Sequence, residues 1–376
     1  MTYRFDLSES ISHIGKDAWN AVAGTSNPFI RYEFLESLET SGAVSTATGW
    51  QPQHLRLYKD DTCIALVPMY LKQHSYGEYV FDWAWADAYQ RHGVSYYPKL
   101  LTAIPFSPVS GPKIASNVPL EEILPVLAQI FKQLCHEKHL SSWHGLFLDN
   151  NQHTLLENAG FLSRLGSQYH WFNRDYQNFD HFLESFTSRK RKTVKRERRK
   201  VAEQNVTIHR FEGAEINESL LNTFYHCYQL TYAKRGRQGY LNQDFFERLI
   251  KTMPEQLVLF AAEYKSEFVA TALCFKDEKT LYGRYWGCLE EFDSLHFETC
   301  FYTGIDYCIQ HSLQHFDPGA QGEHKIQRGF EPIETWSSHY IAEPGFLRAI
   351  DQFVQEESKL VRTQMSELSE GLPFKK

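Results

Sequence analysis

The ionisable residues best suited to proton transfer fall into two short segments in the last third of the chain. One segment covers residues 296–302 and the other covers residues 319–325, where glycines at positions 319 and 322 precede three consecutive ionisable residues. Imidazole, carboxyl and amino groups are the usual general acids and bases of enzymes, and glycine lets a backbone approach a ligand closely. The candidate catalytic residues are Glu298, His296, Glu323, His324 and Lys325.

Each segment also has an interpretation without catalysis. On a helix Glu298 and Tyr302 would share a face, but a carboxylate near the start of a helix is also favoured by the helix dipole. The segment at residues 319–325 could equally be an exposed polar turn. It follows a predicted buried strand, however, and active-site loops of α/β proteins lie at such strand ends. This position favours a role in substrate binding or catalysis.

Two aromatic segments, residues 82–91 and residues 284–286, are candidates for lining a binding site. If residues 76–86 form a strand, as their aromatic content predicts, Trp83 and Trp85 lie on one face and Asp82 lies on the other. Two tryptophans on one face of a strand are also common in a protein core. The candidate substrate-binding residues are Asp82, Trp85, Asp87, Arg91, Arg284, Tyr285, Trp286 and Tyr302.

Residues 188–200 form a strongly basic segment, with nine basic residues and one acidic residue in a chain whose net charge is −7. A basic helix is predicted from about residue 180 to residue 203. Its like charges repel one another, and the phosphates of tRNA or of another polyanion would supply the counter-charge. A solvated helix, an acidic face of the same protein and an acidic partner subunit are the alternatives. The candidate polyanion-binding residues are Arg189, Lys190, Arg191, Lys192, Lys195, Arg196, Arg198 and Arg199.

Amphipathic and alternating patterns predict the elements that position these residues. Helices are predicted over residues 27–40, 119–139, 216–233, 242–252 and 294–311. A hairpin followed by an aromatic, strand-like segment occurs in each half, at residues 53–86 and again at residues 258–286. This shared order predicts an internal duplication, with a first domain over residues 1–175 and a second domain over residues 176–376 that opens with the basic helix. We expect the chemistry mainly on the second copy.

The composition is that of a globular protein, since 42% of the residues are hydrophobic and 23% are charged. The first residues lack the basic start and apolar run of a signal peptide, and no segment approaches the roughly 20 apolar residues that span a bilayer. We therefore expect a cytoplasmic protein. The seven scattered cysteines include no Cys-x-x-Cys pair, and no His-Glu-x-x-His occurs, so we predict reduced thiols and no metal site.

Several segments resemble the signatures of the FemAB-like predicted N-acyltransferases of the GNAT superfamily, which are described by the terms peptidoglycan biosynthesis and recognition. They include Tyr-Gly-Glu-Tyr-Val-Phe-Asp-Trp-Ala-Trp-Ala at residues 76–86, Gly-Ala-Gln-Gly-Glu-His-Lys at residues 319–325 and Arg-Gly-Phe at residues 328–330. The resemblance spans essentially the whole chain. It implies an α/β fold class with two tandem GNAT-like domains, in which mixed central sheets are flanked by helices.

The resemblance also implies a reaction, the transfer of an activated acyl or aminoacyl group to the amine of a small molecule or peptide. The donor, aminoacyl-tRNA or acyl-CoA, would be a co-substrate, and no tightly bound cofactor is expected. The chain lacks the Gln/Arg-x-x-Gly-x-Gly/Ala run that cradles acetyl-CoA in ordinary GNAT acetyltransferases, which weakens acetyl-CoA as the donor. The alternative is a non-catalytic RNA- or polyanion-binding module on a duplicated GNAT scaffold.

Overall fold

The structure, a computed structural model, describes residues 2–320 and 322–375 and divides into two compact units. Unit 1 comprises Met1–Ser167 and Glu334–Thr363, and unit 2 comprises Gln168–Ile333 and Gln364–Lys376. Residues 334–363 therefore belong to unit 1 although they follow most of unit 2 in the chain. The duplication with domains at residues 1–175 and 176–376 stays a prediction. The α/β class with mixed sheets and flanking helices is confirmed.

Unit 1 starts with a strand and three helices and then combines short strands with three more helices. Its elements are β1 (Tyr3–Ser8), α1 (Ile11–Ile14), α2 (Lys16–Ala23), α3 (Tyr32–Thr40), β2 (Trp50–Pro52), β3 (His54–Lys59), β4 (Thr62–Val67), β5 (Met69–Lys72), α4 (Trp83–Arg91), β6 (Lys99–Thr102), β7 (Ala115–Ser116), α5 (Leu120–Glu137), β8 (Ser142–Leu148), α6 (Asn150–Asn158) and β9 (Leu162–Phe172), whose last residues belong to unit 2.

The strands of unit 1 form two sheets. One sheet has the order β1-β3-β4-β7 and is antiparallel. In the other, β2, β5, β6 and β8 lie side by side, and the β6–β8 pair is parallel. Apolar residues recur every three or four positions along α5, so that Ile123, Leu127 and Phe131 share a buried face and belong to one core with Leu55 and Trp143.

The strand predicted over residues 76–86 is wrong, because helix α4 begins at Trp83. Trp85 and Tyr89, four positions apart, are 3% and 1% exposed, whereas Trp83 is 41% exposed. Buried residues four positions apart are typical of a helix, and two tryptophans that are two positions apart point in different directions on a helix. The aromatic content of this segment therefore reflects one buried helix face and not an alternating strand.

Helix α3 begins at Tyr32, five residues after the predicted start at Asn27. The Asn27 side chain does accept a hydrogen bond from the backbone N–H of Phe29, at 2.9 Å. It closes a separate turn ahead of the helix, as asparagine side chains often do. The expected capping chemistry is therefore present, but it belongs to that turn.

Unit 2 contains a longer sheet and the segments with most of the candidate catalytic residues. Its elements are α7 (Phe179–Glu184), α8 (Ser188–Glu203), β10 (Thr207–Glu212), α9 (Glu218–Ala233), α10 (Gln243–Thr252), β11 (Leu257–Tyr264), β12 (Glu267–Lys276), β13 (Thr280–Cys288), α11 (Leu295–Phe297), a π-helical turn (Glu298–Tyr302), α12 (Thr303–Gln310), β14 (His315–Asp317), a 3-10 helix (Glu323–Arg328), β15 (Glu331–Ile341) and α13 (Pro344–Glu370). Residues of β15 and α13 from 334 to 363 belong to unit 1.

The sheet of unit 2 has the order β10-β11-β12-β13-β14-β9. The β13–β14 pair is parallel and the other pairs are antiparallel. Its core brings Trp171 of β9 and Phe316 of β14 together with Phe182 and Ile305 from the helices. The sheet is therefore mixed, as the resemblance implied.

The basic segment forms a helix, but the single helix predicted over residues 180–203 is wrong because α7 and α8 are separate. Between them Phe186 is fully buried, with its ring 4.9 Å from that of Phe182 and 5.5 Å from that of Phe374. Thr187 is extended, with ψ of 148°, and precedes α8. Packing of Phe186 into the core thus interrupts the helix exactly before the basic residues begin.

No element was predicted beyond residue 341, yet α13 runs for 27 residues. Ile350 and Val354 are its buried residues, so the apolar stripe along it is short compared with its length. A narrow stripe on a polar helix gives a weak sequence signal. Within residues 2–320 and 322–375, no helix combines the length and apolar character needed to cross a membrane.

Candidate active site

A cavity of about 410 Å³ opens in unit 2 where two neighbouring parallel strands separate. Strands β13 and β14 pair from Thr280 with His315 to Tyr282 with Asp317, and β14 then ends. The cavity walls come from β12, β13, the π-helical turn and the segment after β14. Crevices beyond the carboxyl ends of parallel strands are common ligand sites in α/β folds.

Strand β13 carries a β-bulge beside this cavity. The register of β12 against β13 shifts opposite Arg284, which is the extra residue of the bulge. Its guanidinium donates two hydrogen bonds to the Asp317 carboxylate, Nη2 to Oδ2 at 2.6 Å and Nη1 to Oδ1 at 3.2 Å. Burial alone would raise the pKa of Asp317, but the guanidinium brings that pKa down to about 2. Asp317 also accepts from the N–H of Gly319 at 2.9 Å, so the ion pair fixes the start of the loop.

A buried lysine holds the loop that follows β14. Lys325 is 3% exposed, and its Nζ donates to the carbonyl oxygen of Gly319 at 2.6 Å. Burial lowers the pKa of Lys325 to about 8, since Asp317 only partly offsets it. Gly319 and Gly322 have φ of 93° and 117°, a region that favours glycine. The predicted loop includes Gln321, which lies outside the described residues. An amine with a pKa near 8 exchanges protons readily at neutral pH.

His296, Cys300 and Phe301 line the cavity from the helical segment that contains the π-helical turn. Such turns are frequent at functional sites. Burial, together with the neighbouring His324 and Lys325, lowers the pKa of His296 to about 4. The imidazole is therefore neutral at pH 7 and presents a ring nitrogen that can accept a proton.

The two other ionisable residues of the loop, Glu323 and His324, differ in whether they line the cavity. His324 lines the cavity, with its ring 6.1 Å from that of His296, and burial lowers its pKa. Glu323 is exposed, and its carboxylate accepts from Nε2 of Gln364 at 3.2 Å. The described lining of the cavity does not include Glu323. The structure thus brings His296, His324 and Lys325 together, and it leaves Glu323 apart from them.

Glu298 and Tyr302 face helix α8 and are not among the described lining residues. Nε and Nη2 of Arg198 donate to Oε1 of Glu298 at 3.1 Å and 3.0 Å. Burial raises the pKa of Glu298, and Arg198 opposes this rise. The Tyr302 hydroxyl donates to Glu197, which also accepts from Arg328 at 2.9 Å. These contacts join the basic helix to both segments that bear the candidate catalytic residues.

Tyr285 and Trp286, two of the candidate substrate-binding residues, line the cavity beside Arg284, and their role in substrate binding stays a prediction. The Trp286 ring lies 5.3 Å from that of His296. Several lining residues were not among the sequence candidates, including Arg235, Cys300 and Phe301. Arg235 lies in a loop far along the chain from the other lining residues, and the π-helical turn alters the 3.6-residue spacing that would have aligned His296 with its neighbours.

The remaining substrate-binding candidates belong to unit 1. Asp87 and Arg91 form an exposed ion pair one turn apart on α4, at 2.9 Å, which is an ordinary helix-surface contact. Trp85 is buried against His144 and His339, with ring centroids 6.0 Å and 5.0 Å away. Asp82 is 3% exposed and lies in the buried polar network described next.

Unit 1 holds a buried network of charged residues, in which Asp82 was a sequence candidate but Glu78 and Lys99 were not. Lys99 donates to Glu78 at 2.7 Å and to Asp82, and Tyr96 donates to Asp82 at 2.6 Å. The Tyr96 hydroxyl also lies 3.1 Å from Nε2 of His144. Burial raises the pKa of Glu78, whereas Lys99 holds the pKa of Asp82 down. Across the described chain, no group of three histidine, cysteine or acidic side chains is arranged to hold a metal ion.

The predicted polyanion-binding residues lie on α8 and differ in their surroundings. Lys195 pairs with Asp180 at 2.7 Å, Arg198 with Glu298, and Arg199 with Glu203 at 3.4 Å. The other five form no ion pair with any described residue and are exposed or half-buried; they are Arg189, Lys190, Arg191, Lys192 and Arg196. Carboxylates therefore hold part of α8, while these five cations have no ion-pair partner among the described residues.

The profile of the FemAB-like family, described as peptidoglycan biosynthesis/recognition, matches residues 10–376. Among solved structures, FemX aligns with a TM-score of 0.55 and 13% identity over 93% of this chain and 100% of that chain. The C-terminal domain of a putative lysylphosphatidylglycerol synthetase from Agrobacterium fabrum aligns with a TM-score of 0.56 and 8% identity, over 92% and 97% of the chains. L-PGS from Bacillus licheniformis aligns with a TM-score of 0.50 and 10% identity, over 88% of this chain and 97% of that chain. No curated protein matches the chain in sequence.

Proposed function

Since the chain belongs to the FemAB-like family, we propose that it is an N-acyltransferase, which moves an activated acyl or aminoacyl group onto an amine. The observation that carries the proposal is the pair of ionisable groups at one cavity of unit 2. His296 has its pKa lowered to about 4 and Lys325 has its pKa lowered to about 8, so at pH 7 a proton acceptor and a proton donor meet there.

The reaction needs proton acceptance, oxyanion stabilisation and leaving-group protonation. As the amine nitrogen bonds to the carbonyl carbon, its acidity rises and the neutral imidazole of His296 takes its proton. The ammonium of Lys325 stabilises the negative charge that develops on the carbonyl oxygen. The carbon–oxygen or carbon–sulfur bond to the donor then breaks, and the leaving group takes the proton back from His296. Atoms and charge balance without a further reactant.

We further propose that the donor is an aminoacyl-tRNA. The five cations of α8 without an ion pair support this choice, because tRNA phosphates would supply their counter-charge. A tRNA donor would place the reaction in the cytoplasm. The family description directs the choice of acceptor to an amine-bearing peptide of the peptidoglycan type.

The test incubates the purified protein with charged tRNA or with acyl-CoA, together with an amine-bearing stem peptide. We expect deacylation of the tRNA and a peptide whose mass rises by one aminoacyl residue. Consumption of acyl-CoA alone would support the proposed acyl transfer but contradict the proposal that the donor is an aminoacyl-tRNA. Inertness towards both donors would contradict the proposal and favour the second candidate, a non-catalytic RNA-binding module, for which the charge of α8 is the supporting observation.

A further inference from the structure

The ionisable side chains that line the cavity of unit 2 are nitrogen bases, two thiols and one tyrosine. The nitrogen bases are Arg235, Arg284, His296, His324 and Lys325. The cavity has no carboxylate among its described lining residues. A bound group therefore meets hydrogen-bond donors and positive charge on several sides.

The three carboxylates that lie within two chain positions of a lining residue are already engaged elsewhere. Asp317 is 1% exposed and is held bidentately by Arg284 behind the cavity wall. Glu298 is held by Arg198 and Glu323 by Gln364. Asp317 and Glu298 are buried and cannot turn to a cation in the cavity without leaving a charged partner behind, which is costly for buried groups. The exposed Glu323 does not line the cavity.

Arg235 contributes a charge that no described residue neutralises. It is exposed at the end of α9, lines the cavity and forms no ion pair with the described part of the chain. A guanidinium stays protonated at every pH at which the protein is folded. Together with Lys325, which is mostly protonated at pH 7, it gives the cavity a net positive field.

We infer that this cavity selects an acyl group whose side chain is neutral or anionic and rejects a cationic side chain; as a statement about acyl groups, this rests on the proposed function. A cationic side chain would lose its hydration and meet Arg235 and Lys325. The rings of Trp286 and Phe301 attract cations, but His296 already packs against both, at centroid distances of 5.3 Å. Their attraction therefore does not reverse the selection.

The test uses two small probes of one shape and opposite charge, 4-phenylbutyrate and 4-phenylbutylamine, with binding measured by calorimetry in the absence of any donor. We expect the carboxylate to bind the wild-type protein at least tenfold more tightly than the amine. Arg235→Glu should reduce this ratio at least tenfold. Arg237→Glu is the matched control, because Arg237 is also exposed, lies two positions away and is not among the described lining residues. The binding ratio of this variant should stay within twofold of the wild-type ratio.

Equal or tighter binding of the amine, an unchanged ratio in Arg235→Glu, or no binding of either probe at millimolar concentration would overturn the inference. With charged tRNAs, alanyl or glutamyl transfer should exceed lysyl transfer at least tenfold. A protein that prefers the carboxylate probe but transfers nothing would contradict the proposed reaction and leave the charge selection standing. Equal lysyl and alanyl transfer would confirm the reaction and overturn the selection.

Discussion

His296 and Lys325 owe their proposed roles to one physical cause. Burial disfavours the charged form of each base, which lowers the pKa of the imidazole to about 4 and that of the amine to about 8. Starting from different ordinary values, the two groups end in different protonation states at pH 7. The same environment therefore produces both an acceptor and a donor.

The His296→Gln variant removes the proton acceptor while keeping a polar side chain of similar size. We expect kcat to fall by about 10² to 10⁴, with little change in melting temperature because His296 is only half-buried. Aminoacyl transfer and thermal unfolding are measured on the same preparation. Glu323→Gln is the control and should keep kcat within about twofold, since Glu323 is exposed; an equal loss in both variants would contradict the assignment.

The Lys325→Met variant tests the lowered lysine pKa through stability. Between about pH 8 and the ordinary value of 10.5 the unfolded chain binds more protons than the folded one, so the unfolding free energy of the wild type rises with pH. This single group contributes a rise of about 3 kcal/mol. Urea denaturation across that range should show the rise in the wild type and its absence in the variant. Parallel curves for the two proteins would contradict the burial of a charged Lys325.

At the scale of elements, α8 is fastened to the π-helical turn by the Arg198–Glu298 pair. Glu298 is 6% exposed, so removing its partner leaves a largely buried charge. We expect Arg198→Ala to lower the unfolding free energy by about 2 kcal/mol, less than for a fully buried pair because the Arg198 side chain is 31% exposed.

The double variant Arg198→Ala/Glu298→Ala should lose less than the sum of the single losses, by about 1 kcal/mol. Equilibrium denaturation of all four proteins gives the coupling. Glu298→Gln should leave kcat within about fivefold, because Glu298 faces α8. A loss of several hundredfold with unchanged stability would show instead that Glu298 takes part in the chemistry.

Strand β13 and helix α9 approach closely at Gly287. A Cβ atom at this position would lie 1.9 Å from the backbone oxygen of Cys227, and backbone cannot move aside as a flexible side chain can. We expect Gly287→Ala to lower the unfolding free energy by about 3 kcal/mol. Gly345→Ala is the control, because it lies in the first turn of α13 with 3.7 Å of clearance and should be neutral or stabilising. Equal melting temperatures for the two variants would contradict the close packing.

Some elements were predictable because their signals are local. Helix α5 has a regular apolar stripe over 18 residues, and its bounds match the prediction closely. The prediction for residues 76–86 was wrong because aromatic content does not show whether buried residues recur with the period of a strand or of a helix. Lys99, whose ion pair with Asp82 anchors the start of α4, lies 17 residues from Asp82 in the chain. The π-helical turn could not be predicted, because no spacing rule for a regular helix describes it.

At the scale of the whole molecule, the charge of α8 contrasts with a net charge of −7. Neutralising Arg189, Lys190, Arg191 and Lys192 to glutamine should weaken tRNA binding and reduce the slope of log K against log salt by about 3. Filter binding at several salt concentrations measures both effects. The control neutralises four scattered exposed lysines, Lys138, Lys251, Lys265 and Lys279, and should change the slope by less than 1. Equal effects of the two sets would show that net charge, and not α8, attracts RNA.

The sequence by itself determined the family, the α/β class, the main helices and the charge of the basic segment, because these depend on residue types and on spacings within one element. Only the tertiary structure decided which ionisable residues face the cavity. Glu298 and His296 are two positions apart, yet Glu298 turns to Arg198, 100 residues earlier, whereas His296 lines the cavity with Lys325. Such choices depend on partners that are distant in the chain and on the burial that shifts their pKa values, and no local pattern encodes either.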